Sequence, residues 1–192
     1  MHRYALAILA VILCAGCRQV EKTPVQAVNL LREFDAAEKR PPVGFQIADR
    51  EIDGVSRPSL VAPAPSRLTI PLPLPRRGVL RAFAALAPPS PDRAAASVRL
   101  RVGVSDDRIY ERLTDVILTP GQRGWVDVRT DLSAYAGWKW SLFYHPERVM
   151  WRLVLAADAI DGIPTTVVWG APEIVTDGNS AKEYTVRRAR FR

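Results

Sequence analysis

Hydrophobic and polar residues alternate along much of the chain beyond Pro42. The alternation is clearest where an aliphatic side chain occupies every second position from Val98 to Val104. A period of two predicts β-strands that bury one face and expose the other. The same pattern predicts strands at residues 45–48, 68–74, 79–86, 110–118, 125–129, 138–144, 151–155, 165–169 and 184–191. Many short strands separated by Gly, Pro and Asp residues indicate an antiparallel sandwich or barrel.

A helical pattern precedes this region. Residues 23–26, Thr-Pro-Val-Gln, have the threonine cap, first-turn proline and glutamine of a helix start, and Pro41 and Pro42 mark its end. Between them, apolar residues at helical spacing predict one amphipathic helix of about 16 residues, from about Val25 to Lys39. Its polar face mixes acidic and basic residues, so packing on the domain or a spacer role is favoured over binding to a membrane surface.

Prolines interrupt the strand pattern in the first half of the β region. Nine of the 16 prolines fall between Pro58 and Pro91. Because proline has no N–H to donate to a central ladder, residues 70–75 are expected to form an edge strand or a polyproline-like crossing. Residues 87–92 are expected to form a loop.

The amino-terminal segment has the pattern of an export signal. The basic residue Arg3 precedes an apolar stretch that begins at Tyr4, and the small residues Ala15 and Gly16 lead directly to Cys17. The apolar stretch is too short for a transmembrane helix, which needs about 20 residues. The arrangement resembles the lipobox of bacterial lipoproteins, in which residues 1–16 are removed and Cys17 carries the lipid. An ordinary signal peptide with an incidental cysteine is the alternative.

The lipoprotein resemblance implies a location and a division of the chain. It implies attachment to the membrane of the cell envelope through lipid on Cys17. In a Gram-negative cell it implies export to the outer membrane, since Arg18 rather than an aspartate follows the cysteine. The expected parts are a signal peptide at residues 1–16, a tether and helix at 17–42, and a β-sandwich domain at 43–192.

Composition limits the partners of the chain. Of its 192 residues, 48% are hydrophobic, which is enough for a packed core. After cleavage the chain would retain only one cysteine, so an internal disulfide is excluded. The net charge of +7 is spread along the whole sequence. For an exported protein, anionic glycans, lipopolysaccharide or phospholipid head groups suit that charge better than nucleic acid does.

A second resemblance lies within residues 123–174. This stretch contains Gly-Trp-Val-Asp-Val-Arg at 124–129, Asp-Leu-Ser-Ala-Tyr-Ala-Gly at 131–137 and Trp-Gly-Ala-Pro-Glu-Ile at 169–174. The order of these motifs resembles the galactose-binding-like, jelly-roll β-sandwich. Similar modules occur at the front of bacterial lipoproteins and beside sulfatase-type hydrolase domains. The resemblance therefore implies a mainly β, antiparallel jelly-roll sandwich, here preceded by the amphipathic helix.

The motif residues themselves are expected to be structural. Asp131 can accept backbone N–H donors at the start of a turn, and Gly137 can take a positive φ at its end. Tyr135 is expected to cover an edge of the sandwich with its hydroxyl in water. Trp169 is expected to be a buried indole that precedes a forced turn.

Few residues are suited to catalysis. The chain would retain one histidine after cleavage, His145, which lies in a Tyr-His-Pro-Glu turn, and no Gly-x-Ser-x-Gly elbow surrounds any serine. A zinc or copper site with several His and Cys ligands is therefore excluded. A serine triad would need His145 as its base and is disfavoured, and no catalytic residue or cofactor is predicted.

Two acidic pairs are candidate ligands for structural calcium. They are Asp106 with Asp107 and Asp158 with Asp161. Carboxylate oxygens are the ligands that calcium prefers, but two neighbouring acids without an EF-hand pattern are more often a solvated turn.

Aromatic residues supply the candidate ligand-binding site. The predicted contacts are Arg123, Trp125, Tyr110, Tyr144 and His145. Exposed rings stack on sugar faces while flanking polar groups bond the hydroxyls. The competing explanation is that the five tryptophans form a core.

Two functions remain open after these observations. The first is a non-catalytic, lipid-anchored module of the cell envelope that binds carbohydrate. The second is a structural or protein-docking module, related to the non-catalytic part of sulfatase-type hydrolases, that binds an envelope protein. An enzyme that uses acidic residues alone is a third and less favoured hypothesis.

Overall fold

The computed structural model describes residues 23–88, 96–136 and 151–189, which form two facing antiparallel β-sheets. The strands are β1 (Val25–Asn29), β2 (Glu38–Arg40), β3 (Gln46–Ile52), β4 (Val55–Ala64), β5 (Ser66–Pro71), β6 (Val79–Leu86), β7 (Val98–Ser105), β8 (Tyr110–Leu118), β9 (Val126–Asp131), β10 (Arg152–Ala159) and β11 (Thr165–Thr176). Two 3₁₀-helices (Leu30–Glu33 and Ser133–Tyr135) and one α-helix, α1 (Gly178–Ala189), accompany them. Within these ranges, no helix has the length and apolar character needed to cross a membrane.

The two sheets differ in how their strands are ordered. Sheet A has the order β3-β4-β11-β6-β9, with β1 as a sixth strand beside the last part of β11. Sheet B has the order β2-β5-β10-β7-β8. On one side of β11, β4 pairs with residues 165–170 and β1 with residues 173–176. The long strand β11 therefore joins the amino-terminal part of the chain to the centre of sheet A.

The core lies between the two sheets. Alternate residues of each strand point into this space, and their side chains are almost all apolar. Leu80, Trp169 and Ile174 of sheet A and Leu100 and Leu153 of sheet B are each at most 2% exposed. Burial of one such side chain contributes about 1.5–3 kcal/mol. The predicted sandwich is thus confirmed, and β6 and β8 have the predicted bounds. The strand predicted at 138–144 lies outside the described residues.

The predicted amphipathic helix at residues 25–39 is wrong. These residues form β1, a single 3₁₀ turn and β2, and they contribute one strand to each sheet. Val28 and Leu30 are 2% and 3% exposed, and residues two positions apart lie on one face of an extended chain but on opposite sides of a helix. Pairing with the open edge of β11 supplies backbone hydrogen bonds and burial together, which outweighs a local preference for helix.

The strand predicted at residues 184–191 is also wrong for residues 184–189. Residues 178–189 form α1, and the carboxylate of Asp177 caps it by accepting two backbone N–H bonds of 3.0 Å. Tyr184 is buried against the sandwich, and Arg188 forms an ion pair with Glu33. The helix is therefore held at its start by a cap and along its length by contacts with distant residues. Residues 190–192 lie outside the described part.

The proline-rich region contains a strand, β4, that alternation does not predict. Leu60, Val61 and Ala62 are consecutive and all at most 5% exposed, because β4 is covered on both faces. Burial on both faces removes the period of two. Pro71 at the end of β5 pairs with β10 but lies beyond the residues that β2 reaches, so it stands at an open edge, as expected for a strand proline.

The Asp-Leu-Ser-x-Tyr motif forms the turn that follows β9. Asp131 Oδ1 accepts a 2.8 Å hydrogen bond from the Ser133 N–H, as predicted, and bonds from Ser133 hold the pKa of Asp131 below its usual range. Tyr135 differs from its prediction, since it is only 9% exposed and packs edge-on against Trp151 with ring centroids 5.2 Å apart. Burial, followed by a hydrogen bond to the Glu111 carboxylate, raises the pKa of Tyr135 to about 12.

We predict that Tyr135 makes the folded state sensitive to alkaline pH. The ordinary pKa of 10.0 applies in the unfolded chain, whereas the folded value is about 12, so folding favours the neutral phenol. This contribution to the free energy of unfolding is complete below pH 10 and disappears as the pH rises through the folded pKa. Urea unfolding at several pH values should show a smaller alkaline loss in Tyr135→Phe than in the parent chain. Equal losses in both would contradict the assignment.

Candidate functional site

An open cleft lies on the outer face of sheet B, the face that points away from the core. Its volume is about 450 Å³. The lining includes Arg40, Arg67, Arg101, Tyr110, Ala156 and Asp158. Small side chains of the central strand β10 lie at its base, and longer side chains from the outer strands form its sides. We refer to this feature as the sheet B cleft.

Tyr110 lies against the sheet at a glycine. A Cβ placed on Gly103 would come within 2.6 Å of the Tyr110 ring and 2.5 Å of the Glu111 carbonyl oxygen. The ring therefore occupies the space that a side chain at position 103 would take. Burial raises the pKa of Tyr110, while the nearby Arg101 and Arg67 act in the opposite direction. An aromatic ring is thus held in place at one side of the cleft.

Arg101 and Asp158 form an ion pair with one hydrogen bond beside the ring. Arg101 Nε lies 2.7 Å from one carboxylate oxygen of Asp158, and Nη2 donates to the other at 2.8 Å. The pair joins β7 to β10 across the cleft base. A hydrogen bond between two ionised groups is short and strong, so this pair gives the cleft a fixed polar side.

Arg67 reaches the cleft from the opposite side. Its guanidinium carbon lies 5.2 Å from the centroid of the Tyr110 ring, within the range of a cation–π contact. Arg67 is directly opposite Arg40 in the β2–β5 pairing. Arg40 forms an ion pair with Glu38, at 2.6 Å from Nη2. Among the residues that the structure describes, Arg67 makes no ion pair with a carboxylate.

The other predicted aromatic contact, Trp125, lies on the outer face of sheet A. Its indole N–H donates a 2.9 Å hydrogen bond to the Val55 carbonyl, and its ring would lie 2.7 Å from a Cβ on Gly170. Arg57 lies between Trp125 and Phe83, with its guanidinium carbon 5.8 Å and 3.5 Å from the two ring centroids. Trp125 is thereby held between sheet and arginine.

The structure does not bring the predicted ligand contacts together. Tyr110 and Trp125 lie on opposite outer faces of the sandwich, and Arg123 is exposed in the connection that precedes Trp125. Tyr144 and His145 lie outside the described residues. Arg67 and Arg101 are not among the predicted contacts, because their only signal in the sequence is an arginine interleaved with inward-facing aliphatic residues. Such a pattern marks an outward position without indicating which strand lies beside it.

The four candidate calcium ligands lie at opposite ends of β10. Asp107 pairs with Arg152 at 2.7 Å at its start, and Asp158 pairs with Arg101 near its end. Asp161 accepts a 3.1 Å bond from the Ser97 N–H. Within the described ranges, no group of three or more acidic, His or Cys side chains is arranged to hold a metal ion.

Asp106, the fourth of these acids, shapes the turn between β7 and β8. Its carboxylate accepts backbone N–H bonds from Arg108 and Ile109, at 3.0 and 2.8 Å. Burial acts to raise the pKa of Asp106, but these backbone bonds outweigh it and hold the pKa below the usual value. Asp106 therefore has a turn-forming role.

Comparisons with known proteins give only distant likenesses. No protein-family model and no curated protein matches the chain. Among solved structures, the CBM51-2 and INT domains of Clostridium perfringens ZmpB match 82% of this chain and 29% of theirs, with 11% identity and a TM-score of 0.48. The CBM22-1 xylan-binding domain of Paenibacillus barcinonensis Xyn10C matches 72% of this chain and 83% of its own, with 13% identity and a TM-score of 0.44.

A third similar structure is TmCBM61, solved with β-1,4-galactotriose. It matches 78% of this chain and 97% of its own length, with 9% identity and a TM-score of 0.44. The chain thus spans less than a third of the length of the Clostridium perfringens structure but most of the two smaller domains. These likenesses are too distant to assign a function, which must be argued from the sheet B cleft.

We predict that Gly103→Ala destabilises the protein by about 1–3 kcal/mol. The added methyl group would meet the Glu111 carbonyl oxygen and the Tyr110 ring, and the backbone atom cannot rotate away. Gly178→Ala is a matched control, because it adds the same atoms in a helix where nothing lies within 4 Å. Alanine favours a helix over glycine by up to about 1 kcal/mol, so the control should be neutral or stabilising. Similar losses in both variants, measured by urea unfolding, would exclude the close contact at Gly103.

Proposed function

We propose that this chain is a non-catalytic carbohydrate-binding domain whose ligand occupies the sheet B cleft. The observation that carries the proposal is the grouping of an aromatic ring, an arginine–aspartate pair and a further arginine around one open cleft of about 450 Å³. Sugars present an apolar C–H face and a rim of hydroxyls. The Tyr110 ring suits the first, and fixed polar groups suit the second.

The size and openness of the cleft support a saccharide rather than a buried small molecule. The cleft lies within the range of 300–1,000 Å³ that is typical of ligand sites. It lies across strands of a sheet rather than inside the core, so a chain of sugar residues could enter and leave without opening the fold. The Arg101–Asp158 pair presents both hydrogen-bond donors and acceptors near the cleft base.

The acidic residues of the cleft support binding rather than hydrolysis. Glycoside hydrolysis ordinarily uses two carboxyl groups on either side of the scissile bond. Among the described residues that line the cleft, the one carboxylate is Asp158, and Arg101 already binds both of its oxygens. A carboxylate held in that way is suited to keeping the Arg101 guanidinium, a hydrogen-bond donor, in a fixed position.

We predict that Tyr110→Ala abolishes measurable glycan binding, while Tyr110→Phe retains it within a few-fold. Alanine removes the ring on which a sugar would stack, together with the apolar area that the contact would bury, whereas phenylalanine keeps both. Binding can be screened on a glycan array and measured by calorimetry, with circular dichroism to confirm folding.

The same assay tests whether the glycan binds to the outer face of sheet A instead. If binding is lost in Trp125→Ala and kept in Tyr110→Ala, the glycan site lies on the outer face of sheet A. If no glycan binds the parent chain at all, the carbohydrate-binding proposal fails and a protein-docking role becomes the better hypothesis.

We further propose that the domain is held at the cell envelope by lipid on Cys17. The support is the export-type leader that ends in Ala-Gly-Cys. Each buried methylene of an acyl chain contributes about 0.8 kcal/mol, so several chains would provide a stable anchor. A glycan-binding domain on such an anchor would hold envelope or external polysaccharide near the membrane.

We predict that Cys17→Ser eliminates incorporation of an alkyne-labelled fatty acid in a Gram-negative host and moves the protein out of the detergent phase. Serine lacks the thiol to which the lipid would be attached. Cys14→Ser is the matched control, because it removes a thiol three positions earlier in the same leader. Loss of labelling in the control and not in Cys17→Ser would contradict the proposal.

A further inference from the structure

We infer that the sheet B cleft selects saccharides that carry an acidic group, and that Arg67 is the residue that pairs with that group. The inference rests on the carbohydrate-binding function proposed above and names the class of glycan. Its basis is an imbalance of charge that the fold places at one side of the cleft.

The imbalance follows from the ion pairs on this face of sheet B. Three arginines and one aspartate line the cleft. Arg101 is bound to that aspartate, Asp158, and Arg40 is bound to Glu38. Elsewhere on β8 and β10, Arg112 pairs with Asp115 and Arg152 pairs with Asp107. In the part of the chain that the structure describes, Arg67 lines the cleft without such a carboxylate.

The register of the strands adds a second observation. Arg67 and Arg40 occupy directly opposite positions on β5 and β2. Like charges directly opposite in a sheet are destabilising, and Glu38 compensates only the Arg40 side. An anion that enters the cleft beside Arg67 would relieve this repulsion. The two arginines therefore create a positive region at the side of the cleft that faces Tyr110.

The position of Arg67 suits recognition of an acid on a sugar. Arg67 is half-buried, and its guanidinium carbon lies 5.2 Å from the Tyr110 ring centroid. Arg67 makes no hydrogen bond to another side chain within residues 23–88, 96–136 and 151–189, so there its N–H donors remain open to a ligand. These donors are the groups that bind a carboxylate or sulfate through two parallel hydrogen bonds. A saccharide stacked on Tyr110 would thus bring a substituent on its ring within reach of those donors.

The cost of desolvation favours an acidic ligand over a neutral one. Any glycan that fills the cleft removes water from Arg67. A neutral glycan supplies only uncharged hydroxyl oxygens in exchange, whereas an acidic one supplies an anion that the guanidinium can bind as an ion pair through two parallel hydrogen bonds. The discrimination should weaken as salt is added, because the pair lies in an open cleft that ions can reach.

The test uses pairs of glycans that differ only in charge. Oligogalacturonate and oligomannuronate are compared with their methyl esters, and a sulfated galactan is compared with its desulfated form, by calorimetry on the purified full chain in detergent. We expect each acidic glycan that binds to exceed its neutral partner by at least about ten-fold in affinity. The carboxylate and sulfate arms identify which acid the cleft accepts.

Variants assign the effect to Arg67. Arg67→Gln should reduce affinity for the acidic glycan by about ten-fold or more and leave the neutral partner unchanged, whereas Arg67→Lys should retain part of the preference. Arg99→Gln is the matched control, because Arg99 is an exposed arginine on the same face of β7, outside the cleft lining, and should change affinity by less than about two-fold.

Two results would overturn the inference. Equal binding of the acidic and neutral partners would remove the selectivity while leaving carbohydrate binding in place. An equal loss in Arg67→Gln and Arg99→Gln would show that overall charge, and not a pairing at Arg67, is responsible. Failure of every glycan to bind is a separate outcome, which would reject the proposed function itself.

Discussion

The Tyr110 ring can approach sheet B closely because residue 103 has no Cβ. A side chain there would collide with both the ring and the Glu111 carbonyl, at 2.5–2.6 Å. The same arrangement occurs on the other sheet, where Trp125 covers Gly170. In each case a glycine within a strand allows an aromatic ring to contact the backbone instead of standing on a neighbouring side chain. The two outer faces nevertheless differ, since Arg57 fills the space between Trp125 and Phe83 on sheet A, whereas the ring on sheet B borders an open cleft.

Whether the charge of an arginine in this chain is available to a ligand depends on the partner of that arginine and not on the number of arginines. A net charge of +7 alone indicates attraction to anions of any kind. On the outer face of sheet B, however, Arg101 and Arg152 are each bound to a carboxylate, so their positive charge is largely compensated within the protein. Arg67 is different because, among the described residues, its guanidinium contacts the aromatic ring of Tyr110 rather than a carboxylate. Recognition of a ligand by charge therefore depends on which arginine the fold leaves next to the cleft.

The strands could be predicted wherever one face is buried and the other is wet. β6 and β7 meet that condition, and their positions follow from the period of two. β4 could not be predicted, because it is covered on both faces and carries prolines at residues 58 and 63. The predictions for residues 25–39 and 184–189 name the wrong type of structure, because in both segments the structure depends on contacts with distant residues that the local pattern does not reveal. The pairing of β1 with β11 and the ion pair of Arg188 with Glu33 are examples of such contacts.

The sequence by itself determined the class of fold and the inward side of most strands, because the alternation of side chains is a local property of an extended backbone. It also indicated that Asp131 begins a turn and that Trp169 is buried, both of which depend on near neighbours or on hydrophobicity alone. Only the tertiary structure decided that Tyr110 and Trp125 lie on opposite faces, and that Arg67, Arg101 and Asp158 share one cleft. These residues are up to 91 positions apart, from 67 to 158. Their proximity depends on the strand order of sheet B, which is set by hydrogen-bond register and core packing between distant segments and leaves no periodic trace in the sequence.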